Sequence, residues 1–306
     1  MSLSHIEPDP SAVGGVPKAP FALMPRPGQL FADRAKRLAF LAADSRLAPY
    51  LTFLAGIARI QHELVETTPP PEPVSADQVE RARANAMPPI DRAAFASSRD
   101  FRQVCDRFLE EAELLEKPAA AAKALTALRA ADEETLSAMV ANVAAESLPS
   151  ESLAQHLYLA AAVQIYAARL AAGLNGSQLV PVGTGVCPAC GGRPSASLVV
   201  GIPGAEGVRY ACCSCCATMW NEVRVKCLAC GSTKGIGYRA VETWDEEATI
   251  KAEVCDGCNS WVKILYQNKN PSLEVIADDV ASLGLDLLMK DTPYRRAGFD
   301  PFLIGY

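Results

Sequence analysis

Histidine is scarce in this chain: 306 residues carry three, His5, His62 and His156. No H-E-x-x-H run and no Ser-His-Asp arrangement is visible, which removes the commonest metallohydrolase and serine-hydrolase readings. His62 and His156 read as surface or helix-packing residues, and His5 belongs to the N-terminal arm. A long apolar run is missing too. The richest helical stretch, 153–174, is interrupted by Gln155, His156, Gln164 and Arg169, so no membrane insertion is expected. Nor is there a basic excess. The formal net charge is −6, and Cys187 to Lys263 holds eight Lys or Arg against eight Asp or Glu. Each divalent ion on four thiolates would leave a further charge of about −2. Zinc ribbons that bind nucleic acid show a basic face, so nucleic acid is not an expected partner. Residues 1–20 show no basic head followed by an apolar run, so no export signal is expected. The chain is accordingly expected in the cytoplasm, where disulfides rarely persist.

Cysteine is abundant, and it is clustered. Ten of the eleven lie between Cys187 and Cys258, and eight resolve into four C-x-x-C pairs: Cys187/Cys190, Cys213/Cys216, Cys227/Cys230 and Cys255/Cys258. The first unit reads C-x2-C-x22-C-x2-C, the second C-x2-C-x24-C-x2-C, with ten residues between them. Two thiolates two residues apart on a tight turn can face one ion, and two such turns joined by a hairpin complete a tetrahedron. Gly191, Gly231 and Gly257 stand where the turns must curl. A thioredoxin-like redox pair needs one such motif beside a βαβ pattern, not four in tandem. The eight cysteines are therefore the candidate ligands of two metal ions. Within Cys212-Cys213-Ser214-Cys215-Cys216, either Cys212/Cys215 or Cys213/Cys216 fits the spacing. The expected strand through Arg209, Tyr210 and Ala211, and another opening at Trp220, favour the second choice. Arg209, Arg224 and Lys226 are expected to soften the thiolate charge.

With 306 residues and 50% hydrophobic content, the chain has room for two or three domains with cores of useful size. Its pattern changes once, near residue 180. Residues 1–28 hold six prolines and read as an extended arm, and 29–180 reads as an antiparallel helical bundle. Leu38, Leu41, Leu47, Leu51, Leu54 and Ile57 recur at helical spacing from Leu30 onward, with Pro49 marking a stop or a start. Later helices are expected at Ala76–Ala86 behind the Ser75 cap, Asp100–Glu116, Ala119–Ala130, Glu133–Glu146 and Ser150–Gly173. Alanine dominates them, which lets helices approach closely. Cys105, alone on one of them, reads as a small buried hydrophobe.

Beyond residue 180 short strands take over: a first tetracysteine module over 181–224, a second over 225–270, and a C-terminal helix and tail over 271–306. Strands are expected at Ala196–Gly201, Val208–Ala211 and Trp220–Lys226, then Gly235–Val241, Thr249–Val254 and Trp261–Gln267. Trp244 to Glu247 form the second hairpin tip, and one helix runs from Leu273 to Lys290. The fold class is thus α+β and multidomain: an all-α bundle, two tandem rubredoxin-like or zinc-ribbon-like β modules, and a C-terminal helix.

These residues carry a resemblance. Cys187-Pro188-Ala189-Cys190-Gly191, Arg209-Tyr210 followed by Cys213, Cys216 and Trp220, and Val223-Arg224-Val225-Lys226-Cys227 resemble the FdhE family of formate dehydrogenase accessory proteins. So do Lys251-Ala252-Glu253 with Cys255 and Cys258, Lys263-Ile264-Leu265-Tyr266-Gln267, Ala277-Asp278-Asp279 and Ala281-Ser282-Leu283. The family pattern has one C-x-x-C where this chain has five residues, and it aligns on Cys213 and Cys216. Cys212 and Cys215 depart from it.

The resemblance implies a non-enzymatic assembly protein that binds the immature catalytic subunit of respiratory formate dehydrogenase in the cytoplasm. It also implies iron in rubredoxin-like sites, although four thiolates suit zinc equally. Four cysteines per ion leave no open position for hydrolytic catalysis. A rubredoxin-like electron carrier and a nucleic-acid-binding zinc ribbon are the alternatives. The first requires iron and a reversible colour change, the second steeply salt-dependent binding.

Overall fold

Pro27 opens the first helix, α1 (Pro27–Ala42), about one turn ahead of the expected start at Leu30. Proline's fixed φ and missing N–H suit that position. Pro49 plays the same part in α2 (Ala48–Thr67) and so marks a start rather than a stop. The computed structural model describes residues 19–241 and 247–303. Residues 1–18 of the arm, Trp244, Asp245 and Glu246 of the expected hairpin tip, and Ile304, Gly305 and Tyr306 lie outside the described residues.

Helices α3 (Ala76–Ala84), α4 (Arg99–Leu114), α5 (Ala119–Ala130), α6 (Glu133–Ala145) and α7 (Leu153–Ala172) follow within about three residues of the spans read from periodicity. The Ser75 hydroxyl caps α3 by accepting from Gln78 N, and Ser98 caps α4 by accepting from Phe101 N. A 3-10 turn, Arg92–Ser97, precedes α4. Helix α7 is the hub. It is buried on nearly every side, and Ala160, Ala161, Ala167 and Ala171 let α1, α2, α4, α5 and α6 pack against it. Cys105 is buried on α4, as expected of a small hydrophobe, and burial, aided by Asp106, pushes its thiol up to about 12.

The strands of both cysteine units join in one sheet, ordered β1-β4-β3-β2-β7-β6-β5 among the described residues, with β8 beside β7. The strands are β1 (Ala22–Leu23), β2 (Pro194–Val199), β3 (Arg209–Cys213), β4 (Met219–Glu222), β5 (Ile236–Arg239), β6 (Ile250–Cys255), β7 (Ser260–Tyr266) and β8 (Arg295–Arg296). Each unit contributes an antiparallel meander, and the parallel β2–β7 pairing, Ser197 opposite Ile264, fuses them. From the arm, Ala22 pairs with Trp220.

Two spans differ from expectation. Strand β4 stops at Glu222 rather than running to Lys226, because the carbonyls of Val223, Arg224 and Lys226 turn to the buried Arg209 guanidinium, at 3.5, 3.3 and 2.9 Å. The C-terminal helix is two, α8 (Val275–Ala281) and α9 (Leu283–Lys290), broken at Ser282. There the fully buried ammonium of Lys263 donates to the carbonyls of Asp279 at 2.7 Å and Ser282 at 3.3 Å. Ion pairs of Arg34 with Glu274 (3.1 Å) and Arg37 with Asp278 (2.7 Å) bind α1 to the end and body of α8.

Candidate metal centre

The four C-x-x-C turns share one backbone device. The residue after each second cysteine has a left-handed φ: Gly191 at 75°, Ala217 at 57°, Gly231 at 77° and Asn259 at 52°. In the fourth turn this role falls to Asn259 and not to Gly257. Gly191 N donates to Cys187 O at 2.9 Å and Gly231 N to Cys227 O at 3.0 Å, closing the first turn of each unit. Cys213 N donates to Thr218 O at 3.0 Å, and Cys255 pairs with Ser260, closing the second turn of each. N–H groups also point at sulfur: Cys215 and Cys216 N at Cys213 Sγ, both 3.4 Å, and Ala229 and Cys230 N at Cys227 Sγ, 3.3 and 3.5 Å.

The hairpins bring the turns together in two groups. The Sγ atoms of Cys187, Cys190, Cys213 and Cys216 all lie within 4.8 Å of one another, and so do those of Cys227, Cys230, Cys255 and Cys258. Paired edges measure 3.7 Å (Cys187–Cys216), 3.5 Å (Cys190–Cys213), 3.6 Å (Cys227–Cys258) and 3.8 Å (Cys230–Cys255). A tetrahedron with metal–sulfur bonds of about 2.3 Å has edges of about 3.8 Å. The donor sets therefore fit a four-coordinate ion, and all-thiolate donors select soft or borderline metals such as iron and zinc.

Cys212 and Cys215 lie outside both groups. Strand alternation turns Cys212 to the opposite side, into a cluster with Ala196, Leu198 and Tyr210, where burial pushes its thiol up. Cys215 is half-buried near Cys190. Hydrogen bonds from Cys187, Cys213, Cys215 and Cys216 hold the Cys190 thiol well below its ordinary range, while burial drives Cys187 and Cys216 well above it. In the second group burial would raise Cys227, but the Ser260 hydroxyl, the N–H groups of Cys230 and Ala229, and Cys258 bring it down to about 7.

The two groups differ in surroundings. Cys187, Cys190, Cys213 and Cys216 belong to the main core shared with the helices. Ile90 N donates to Ala189 O at 3.0 Å, and Gln164 of α7 donates to Ser214 O at 2.9 Å. Arg92 is the guanidinium beside these thiols. Burial opposes its charge, but Cys190, Cys215, Glu146 and Cys213 outweigh that and raise its pKa. Its partner Glu146, at 2.8 Å, also binds Arg193 at 2.7 Å. Two of the three expected cations are engaged elsewhere: Arg209 pairs with Glu253 and Lys226 with Glu222, each at 2.8 Å. In the second group Cys227 and Cys255 are buried, whereas Cys230 and Cys258 are exposed.

Sequence reasoning missed Arg92, Glu146 and Gln164, whose helical neighbourhoods carry no local signal. It also missed two hydroxyls that a comparison of the repeats reveals. Thr218 and Ser260 each follow the last cysteine of a unit by two residues, with Thr218 Oγ1 3.2 Å from Cys216 Sγ and Ser260 Oγ 2.9 Å from Cys258 Sγ. The two described histidines have structural partners: His156 Nδ1 lies 2.7 Å from Ser152 O, and His62 Nδ1 3.0 Å from Gly28 O.

An α-helical bundle fused to a sheet that carries two four-cysteine clusters defines the class of protein: one with two groups of thiols suited to metal ions. Family models described as "FdhE, N-terminal", "FdhE, central domain" and "FdhE, C-terminal domain" match residues 19–184, 186–224 and 225–303. The chain is 74% identical over its full length, and the full length of the relative, to a protein named "Protein FdhE homolog" from Rhizobium meliloti. It is 35% identical to "Protein FdhE" from Escherichia coli K12, covering 93% of this chain and 91% of that one. The crystal structure of the FdhE protein from Pseudomonas aeruginosa superposes with a TM-score of 0.82 at 30% identity, covering 93% of this chain and 98% of that one. The chain belongs to the FdhE family, as the resemblance of its cysteine turns and flanking strands implies.

Proposed function

We propose that this protein is a cytoplasmic accessory factor for the assembly of respiratory formate dehydrogenase, and that it holds the immature catalytic subunit. In this reading Cys187, Cys190, Cys213 and Cys216 bind one metal ion, and Cys227, Cys230, Cys255 and Cys258 bind a second. Iron is the ion the family resemblance favours. The observation that carries the reading is the pair of tetrahedral thiol clusters in a chain with FdhE-family models along nearly its whole described length. Four cysteines fill each coordination sphere, so the sites suit shape or electron transfer better than hydrolysis. A cleft of about 960 Å³ beside α1, with Leu23, Met24, Leu30, Phe40 and Ile202 in its lining, offers apolar surface of the kind an incompletely folded client presents.

The test is co-purification. Tagged full-length protein, prepared without oxygen, is expected to retain the formate dehydrogenase catalytic subunit, and metal analysis with visible spectra is expected to give two iron ions per chain. Failure to retain the subunit overturns the partner assignment. Equal retention by a variant lacking all eight ligand cysteines overturns a metal-dependent platform.

A further inference from the structure

The two clusters have almost the same internal geometry but unequal access. Exposure in the first group is 0%, 2%, 4% and 0% for Cys187, Cys190, Cys213 and Cys216. Helix α7, the Arg92 turn and the Ile90 backbone close around it. Those four residues are buried, with Cys213 bordering the cleft beside α1. In the second group Cys227 and Cys255 face the protein, at 4% and 2%, while Cys230 and Cys258 face solvent. None of its four thiols belongs to a hydrophobic core cluster. Each group has a hydroxyl beside its last cysteine, Thr218 at Cys216 and Ser260 at Cys258, yet the two groups differ sharply in access.

Thiolate sites exchange metal associatively: an incoming sulfur must reach the ion while the resident sulfurs still hold it. We propose that the second site is an exchange site, taking up and handing over a thiophilic divalent cation through Cys230 and Cys258, while the first is a permanent structural centre. The proposal rests on the reading that both clusters bind metal. In each step an incoming thiolate forms one metal–sulfur bond as one cysteine–metal bond breaks. The displaced sulfur keeps its electron pair and takes a proton from solvent, and nothing is oxidised or reduced. The implied partner is a thiol-bearing donor or acceptor that meets the protein on the Cys230/Cys258 face.

The experiment uses the full chain loaded with zinc and the chromophoric chelator 4-(2-pyridylazo)resorcinol. Fewer than two bound ions before chelator is added would overturn the metal reading itself, and the proposal with it. With two bound, one equivalent is expected to leave faster than the other by a factor on the order of 100, since the slower one awaits local opening of the core. Cys258→Ser is expected to abolish the fast equivalent and keep the slow one. Equal rates for both ions, or loss of the slow ion alone in Cys258→Ser, overturn the proposal. Should Cys258→Ser fail to fold, brief chelation of the wild type followed by iodoacetamide and mass spectrometry decides. Alkylation at Cys227, Cys230, Cys255 and Cys258 with the other group protected supports it, and uniform or reversed labelling refutes it.

Discussion

Arg209 and Glu253 form an ion pair of 2.8 Å, their side chains 0% and 3% exposed, and it spans the junction of the two cysteine units. Arg209 lies on β3 and Glu253 on β6, with β2 and β7 between them in the sheet. The guanidinium also donates to the Ser197 hydroxyl at 3.1 Å and to the linker carbonyls. Truncating one partner strands a buried charge, so Arg209→Met is expected to cost ~3–5 kcal/mol in denaturant unfolding. Combining it with Glu253→Leu is expected to recover part of that loss. Additive losses in the double variant would show that the pair is not the source.

Gly185 is the steric key between the units. Its φ is +64°, and a Cβ there would stand 2.0 Å from the carbonyl oxygen of Leu228, which lies between Cys227 and Cys230. Neither backbone can yield cheaply, so Gly185→Ala is expected to lose at least ~2 kcal/mol in chemical denaturation. Gly284→Ala, in α9 with nothing within 4 Å of the added carbon, is expected to gain ~0.5–1 kcal/mol.

Asp300 introduces a pH dependence. Burial, then the neighbouring Asp279, pushes its carboxyl well above the ordinary range, whereas Lys263 and Arg296 overcome burial at Asp279 and lower it. A raised folded pKa gives stability that is full below the unfolded value of about 3.9 and declines as pH rises through the folded value. The slope for this one proton is ~1.4 kcal/mol per pH unit within that window. Thermal unfolding followed upward from about pH 4 is expected to show this decline, and Asp300→Asn to flatten it. An unchanged slope in the variant would assign the decline to other groups.

Ser98 ties the start of α4 to the hub helix, accepting from Phe101 N at 3.2 Å while its hydroxyl lies 2.8 Å from Tyr166 Oη. Ser98→Ala is expected to cost ~1–2 kcal/mol, and Ser98→Thr to recover most of it, by thermal denaturation.

The legible parts of this fold were those with a short-range physical cause. Proline and serine positions mark helix starts, alanine and leucine periodicity marks the bundle, and C-x-x-C spacing marks the cysteine turns. At the five-residue run, the flanking strands favour Cys213/Cys216, and these are the two whose sulfurs group with those of Cys187 and Cys190. The misjudged parts depended on partners far away in the chain. Arg209 was read as a counter-charge for thiolates, yet Glu253 and three carbonyls claim it and end β4 early. The C-terminal helix was read as continuous, yet it breaks where Lys263 meets the carbonyls of Asp279 and Ser282.

By itself, the sequence determined that eight cysteines would act in two groups of four, because ligand spacing is a property of a few consecutive residues and their turns. Tertiary structure alone decided that the groups are unequal. Helix α7 and the Arg92 turn close over Cys187, Cys190, Cys213 and Cys216, while the β5–β7 meander leaves Cys230 and Cys258 in solvent. Burial is set by what the rest of the chain brings to a turn, and four nearly identical motifs carry no record of it.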